Sequence, residues 1–224
     1  MSNWDEVLPV GRPRIAAARS YDRLSSVYDL ISWPFERSVQ LQGLELLSPT
    51  EGESILELGC GTGQTIARIA HAEGTKGRAY GVDISRRMVD AARRRALRRG
   101  LLPRTYLAIG DATHLPFGDD VFDAAYMGFT LELFDTREML EVLAEVRRVL
   151  RPGGRLCAVS MSRAGGSSPL VRMYEWVHAT WPSTVDCRPI HVQLTIERAG
   201  FRTVETRAAS VFGLPVEIVL GQTH

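Results

Sequence analysis

From Glu53 onward the chain alternates short apolar runs with longer helical patterns, and this alternation constrains its fold more than any other feature. "SILEL" reads as a strand and "QTIARIAHA" as a helix. "GRAYGVDI" is a second strand, and "SRRMVDAARRRALRRG" a helix closed by Gly100. "TYLAIG" and "VFDAAYMGF" are the third and fourth strands. The helix "TREMLEVLAEVRRVL" is halted by "RPGG", and "RLCAVSM" is the fifth strand. Strands separated by helices of this length form right-handed βαβ units, hence a parallel sheet covered on both faces. The near-continuous apolar run "RLCAVSM" fits such double burial. The end of the chain departs from the pattern: "HVQLTIERAG" is helical, but "FRTVETRAASVF" and "PVEIVLG" follow with no helix between them. The expected fold is therefore α/β, a doubly wound, mostly parallel seven-stranded sheet that ends in an antiparallel hairpin.

At 224 residues the chain is read as one domain, 1–224, large enough to bury a full core. Residues 1–50 precede the sheet, 51–162 hold the five βα strands, and "RAGGSSP" (Arg163 to Pro169) introduces a final part, 163–224. A net charge of +1 gives no reason to expect nucleic-acid binding. No apolar run approaches the roughly 18–20 residues that span a bilayer. The start, "MSNWDEVLPVGRPR", has no apolar signal core, and the expected location is cytoplasmic. Cys60, Cys157 and Cys187 are odd in number and widely spaced, which suits reduced thiols and offers neither a disulfide framework nor a metal site.

In open parallel sheets ligands bind beyond the carboxyl ends of the strands, so the glycine loop after the first strand is the place to look. Gly59, Gly61 and Gly63 are spaced G-x-G-x-G, and Gln64 stands where a dinucleotide fingerprint needs its third glycine. No Gly-Lys-Ser/Thr run is present, which removes the Walker reading as well. Asp83 ends the second strand 20 residues after Gly63, where a carboxylate accepts from both ribose hydroxyls. The same residue could instead cap the following helix, but Ser85 is itself a good cap. Asp111 ends the third strand, either to accept from an adenine amino group or to shape the turn before Ala112. The ligand these residues describe has a ribose and an adenine and no demonstrable pyrophosphate.

"LELGCGTG", "GVDIS", "GDATHLPF" and "RVLRPGGRL" resemble the successive motifs of class I S-adenosylmethionine-dependent methyltransferases over roughly Glu53 to Ser160. The resemblance implies a Rossmann-like fold, S-adenosyl-L-methionine as cofactor, and a cofactor-binding core at 51–162 followed by a substrate-side insertion. It implies that Gly59, Gly61 and Gly63 pass under the methionine part, that Glu57 lies near its ammonium group and that Asp83 holds the ribose. Ile84 would pack on the adenine, Asp111 and Ala112 would contact its amino edge, and Gly128, ending the fourth strand, would line the same site. "YDRLSSVYDLI" is similar to the opening of quinone-type C-methyltransferases and phospholipid N-methyltransferases, where it implies that residues 1–50 form a helical lid. Tyr21, Leu24, Tyr28 and Ile31 share one helical face. Tyr21 and Tyr28, roughly 10 Å apart along a helix, either reach the cofactor or staple the helix to the core.

Methyl transfer is an in-line displacement in which positioning and exclusion of water carry much of the acceleration. A base is needed only when the acceptor must lose a proton, as a phenol or activated ring carbon does. Candidates are Asp186 and His191, which lie in or beside the aromatic segment "ATWPSTVDCRPI", and Glu132 in "MGFTLELF". His114 reads as a surface residue. The apolar character of "MGFTLELF", where quinone enzymes usually carry polar residues, counts against a ubiquinone or menaquinone substrate. The expected partner is a small-molecule or lipid-like substrate, with a small hydrophobic acceptor of phenol or quinol type as the leading reading. The alternatives are N-methylation of a lipid amine, a nicotinamide-dependent oxidoreductase, and a non-catalytic module that keeps the cofactor pocket.

The helix from Ser85 to Gly100 carries seven arginines and an apolar face of Met88, Val89, Ala92, Ala96 and Leu97. It reads as a sheet-packed helix with a solvated outer side. The sharper alternative is weak contact with an anionic membrane surface.

Overall fold

A computed structural model of the chain describes residues 33–72, 76–163 and 188–224. Within them the elements run α1 (Trp33–Leu47), β1 (Ser54–Leu58), α2 (Ile66–Ala72), β2 (Arg78–Asp83), α3 (Arg86–Arg98), β3 (Thr105–Ile109), β4 (Phe122–Gly128), α4 (Thr136–Val149), β5 (Leu150–Met161), α5 (Val192–Arg198), β6 (Arg202–Val211) and β7 (Leu214–Gln222). The seven strands form one sheet in the order β3-β2-β1-β4-β5-β7-β6. The first five are parallel, and β7 lies antiparallel between β5 and β6. The order reverses between β1, which is flanked by β2, and β4. This is the switch point where a doubly wound sheet opens a crevice.

Period-two alternation along the strands feeds two apolar layers. Ile55, Ala124, Tyr126, Cys157 and Val159 join Val39, Leu44 and Leu47 of α1 and Ile66 and Ile69 of α2. On the opposite face, Leu56, Leu58, Ala125, Met127, Leu156 and Ala158 meet Met139, Val142, Leu143 and Val146 of α4 and Val192 and Ile196 of α5. Both faces of the central strands are thus buried, as their apolar runs require. Helix α1 is part of the first layer. It lies so close to the sheet that a Cβ on Gly43 would stand 2.5 Å from Val159 Cγ2 and 3.1 Å from the Tyr126 hydroxyl. The Cys157 thiol donates to the Gly43 carbonyl at 3.2 Å, and burial pushes its pKa up to about 12.

The C-terminal hairpin turns on two residues, Phe212 and Gly213, with φ of 53° and 77°. Positive φ at both positions is what a two-residue type I′ turn demands. Two details differ from the sequence reading. β5 begins at Leu150, not after "RPGG": Leu150 pairs with Phe122 and Arg155 with Ala124, so the intervening residues bulge from a continuing strand. Leu97 is 63% exposed, while Met88, Val89, Ala92 and Ala96 are buried. At about 100° per residue Leu97 lies half a turn from Met88, on the outer side of α3. Among the described residues no helix is long and apolar enough to cross a membrane. The stretch before Trp33, including Tyr21 and Tyr28, lies outside the described residues, as do Asp186 and the tryptophans of the insertion.

Candidate active site

The glycine loop is built from the end of β1 and anchored to the end of β2. The amides of Gly59 and Cys60 both donate to the Val82 carbonyl, at 2.8 and 3.2 Å, and Gly63 closes a turn onto the Cys60 carbonyl at 2.9 Å. Gly59 cannot carry a side chain: its φ is 67°, and a Cβ would stand 2.4 Å from Thr130 Oγ1. Gly61 differs. Its φ is 51°, but nothing lies within 4 Å of where a Cβ would point, so the loop presents bare backbone to open space there.

Asp83 joins that loop to the start of α3. One carboxylate oxygen accepts from the Gly61 amide and the other from the Ser85 amide, both at 2.9 Å. Ser85 itself caps α3, its hydroxyl accepting from the Met88 amide at 3.2 Å. The two roles open for Asp83 are thereby separated: the serine caps, and the half-buried aspartate is held rigidly beside the glycines. Ile84 and Ile109, 37% and 45% exposed, leave apolar side chains at the same ends of β2 and β3. Asp111 is half-buried, and one of its oxygens accepts from both the amide and the hydroxyl of Thr113 at 2.9 Å, so it does shape the turn before half-buried Ala112. His114 is exposed.

Glu57 is 4% exposed, and its Oε2 has no hydrogen-bond partner. Burial first, and the charge of Asp83 second, push its pKa well above the usual carboxylate range, while a hydrogen bond from the Ile66 amide opposes them. A buried carboxylate oxygen without a donor is costly, and a cationic group satisfies it. An ammonium beside Glu57, a backbone-lined path past Gly61 and an acceptor at Asp83 match the amino-acid and ribose parts of S-adenosylmethionine.

A second polar group lies beyond β4 and β5. Glu132, in the short 3-10 turn Leu131–Leu133, is wholly buried; it accepts from the Ser160 hydroxyl at 2.6 Å and from the Met161 amide at 3.4 Å. Burial, reinforced by the charge of Glu36, pushes its pKa up to about 7 against the lowering effect of these hydrogen bonds. Glu36 on α1 is likewise pushed up to about 7 by burial. It accepts from Gln40, whose side-chain oxygen takes the Thr65 hydroxyl at 2.7 Å, linking α1 to the start of α2. A Cβ on Gly128 would stand 3.4 Å from that Gln40 side chain, so its close approach serves α1 packing as well as any ligand.

Arg188 is 1% exposed and donates to the Phe134 carbonyl. Burial lowers its pKa, partly offset by Asp135, Glu132 and Glu138. His191 opens α5 with its Nε2 buried and without a hydrogen-bond partner. The structure thus joins Glu132 to Ser160 and sets Arg188 near enough to feel the Glu132 charge. Glu36, Gln40 and Ser160 escaped the sequence reading because no local motif marks them; each is recruited by packing between elements distant in sequence.

Known proteins share the family and the fold. Residues 55–154 match the family model described as a methyltransferase domain. The chain is 31% identical over 162 residues to the 2-phytyl-1,4-naphtoquinone methyltransferase of Synechococcus elongatus, covering 70% of this chain and 68% of that protein. It is 38% identical over 135 residues to an uncharacterized 37.1 kDa protein in a Streptomyces fradiae transposon, spanning 60% of this chain but 38% of that one. Among solved structures, a SAM-dependent methyltransferase from Aquifex aeolicus has the same fold, with a TM-score of 0.68, 24% identity, and 91% and 98% of the two chains covered.

Proposed function

We propose, because the chain belongs to the class I S-adenosylmethionine-dependent methyltransferases, that it methylates a small hydrophobic acceptor of phenol or quinol type. When bound, S-adenosylmethionine supplies an electrophilic methyl group on a sulfonium sulfur. In this reading Glu57 pairs with the ammonium, the Gly59–Gly63 loop lets backbone approach the methionine part, and Asp83 takes the ribose hydroxyls. Ile84 packs on the adenine beside Asp111 and Ala112. His191 is the described candidate on the acceptor side.

The observation that carries the acceptor reading is Glu132. A phenol or quinol must give up a proton as its oxygen or ring carbon is methylated, and a base is most effective when its pKa lies near the working pH. In this reading Glu132, near the carboxyl end of β4 and pushed up to about 7 by burial, receives that proton. Ser160 fixes one of its oxygens. The Synechococcus relative is named for a 1,4-naphthoquinone, whose reduced form is a quinol; this supports a quinol-type acceptor, while the apolar run after β4 still counts against menaquinone itself.

The test is a methyl-transfer assay over naphthoquinols, simple phenols and lipid amines, with the wild type and Glu132→Gln. Turnover of a quinol or phenol should rise with pH to a plateau above about 7, and Glu132→Gln should lower kcat by about 10²–10⁴-fold with cofactor affinity kept. Methylation of the amines alone would replace this reading with N-methylation. An unchanged kcat in Glu132→Gln would move the base to Asp186 or His191.

A further inference from the structure

We propose that the outward face of α3 docks the protein onto an anionic lipid bilayer. The chain as a whole is nearly neutral, with 27 basic and 26 acidic side chains, so a surface of one sign reflects segregation and not bulk charge. On α3, Arg86, Arg87, Arg93, Arg94 and Arg98 are all exposed, and Asp90 is the single acid. Arg86, Arg93, Arg94 and Arg98 make no ion pair among the described residues. Helix α4, on the opposite face of the sheet, is the natural contrast. It also carries three arginines, but they alternate with Glu138, Glu141 and Glu145, and Arg137 pairs with Glu141 and Arg148 with Glu145.

The exposed Leu97 lies within this arginine field. Arg93 and Arg94 stand one turn before it on the same side, and Arg86 three turns before. The apolar side of α3 is buried within the protein, so the attraction of its outer face is electrostatic, and Leu97, 63% exposed among these arginines, adds one aliphatic contact to it. A face for single-stranded nucleic acid offers aromatic rings for stacking, and α3 has none. The basic surface continues onto the neighbouring helices of the same sheet face, where Arg68 of α2 lies close enough to Arg37 and Arg99 to feel both charges.

The experiment is co-sedimentation of the full chain with vesicles of phosphatidylcholine alone or mixed with phosphatidylglycerol, without cofactor or acceptor. It therefore stands apart from the acceptor reading above. The wild type should bind only the anionic vesicles, and less at higher salt. Each arginine near an anionic surface is worth about a factor of five in partitioning, so Arg93→Glu/Arg94→Glu should lower binding at least tenfold. Leu97→Asp should weaken it several-fold. All three positions are exposed, and circular dichroism melting should show the fold kept. Arg137→Glu/Arg147→Glu makes the same change in net charge on the α4 face and should bind as the wild type does. Failure of the wild type to bind, an equal loss in the α4 control, or tighter binding to single-stranded RNA than to vesicles would each overturn the proposal.

Discussion

Asp83 holds the glycine loop and the start of α3 with the same carboxylate that is proposed to take the ribose hydroxyls. Its two oxygens hold the Gly61 and Ser85 amides at 2.9 Å, which fixes the loop and the carboxylate relative to each other before anything binds. Asp83→Ala should therefore remove the ribose acceptor and loosen the loop together. Calorimetric titration with S-adenosylhomocysteine should show affinity reduced by about two orders of magnitude or more, as for the loss of hydrogen bonds to a charged group. Glu36 and Glu132 give a signature in pH. Both are pushed up from 4.5 to about 7, so the folded chain holds protons there that the unfolded chain has released. Their contribution to stability is complete below about pH 4.5 and is lost as pH rises through 7. The melting temperature of the wild type should fall more steeply between about pH 5 and 8 than that of Glu36→Gln/Glu132→Gln. Asp83 and Glu132 were legible in the sequence as acids at strand ends. The Glu36 and Ser160 environment was not, because it comes from α1 and β5 folding over the end of β4.

At the scale of the element, the contact between α1 and the sheet depends on a residue with no side chain. Gly43 lies inside a helix, where glycine normally costs about 1 kcal/mol relative to alanine. The cost is accepted because a Cβ would collide with Val159. Gly43→Ala should lower stability by about 1–2 kcal/mol in denaturant unfolding, overpacking outweighing the gain in helix propensity. An increase in stability would show α1 free to shift. The alternation of strands and helices made the βαβ elements legible, since each signals itself through local periodicity. The start of β5 was not: proline and glycine at 152–154 read as a stop, whereas pairing of Leu150 with Phe122, 28 positions back in the chain, carries the strand through a bulge. Leu97 was legible at this level but grouped with the wrong face, since nine residues at about 100° each set it half a turn from Met88.

At the switch point the β1 loop, the β2 acid and the start of α3 are all tied by hydrogen bonds to one another and to the sheet, so a ligand bound there should stabilise the whole molecule. S-adenosylhomocysteine at about 100 times its Kd should add about 2.7 kcal/mol of stability, raising the melting temperature by about 5–11 °C, and NAD should leave it unchanged. Protection by NAD alone would return the chain to the dinucleotide reading that Gln64 argues against. The sheet order has a consequence for how the chain is made. β7, the seventh strand in sequence, is inserted between β5 and β6. On the ribosome, the first five strands can assemble while Leu214–Gln222 is still in the exit tunnel, leaving the backbone of β5 as a bare edge. Such an edge is a template for pairing with other nascent chains. Synthesis therefore passes through an interval in which a nearly finished sheet is adhesive, and the last strand to emerge is the one that ends it.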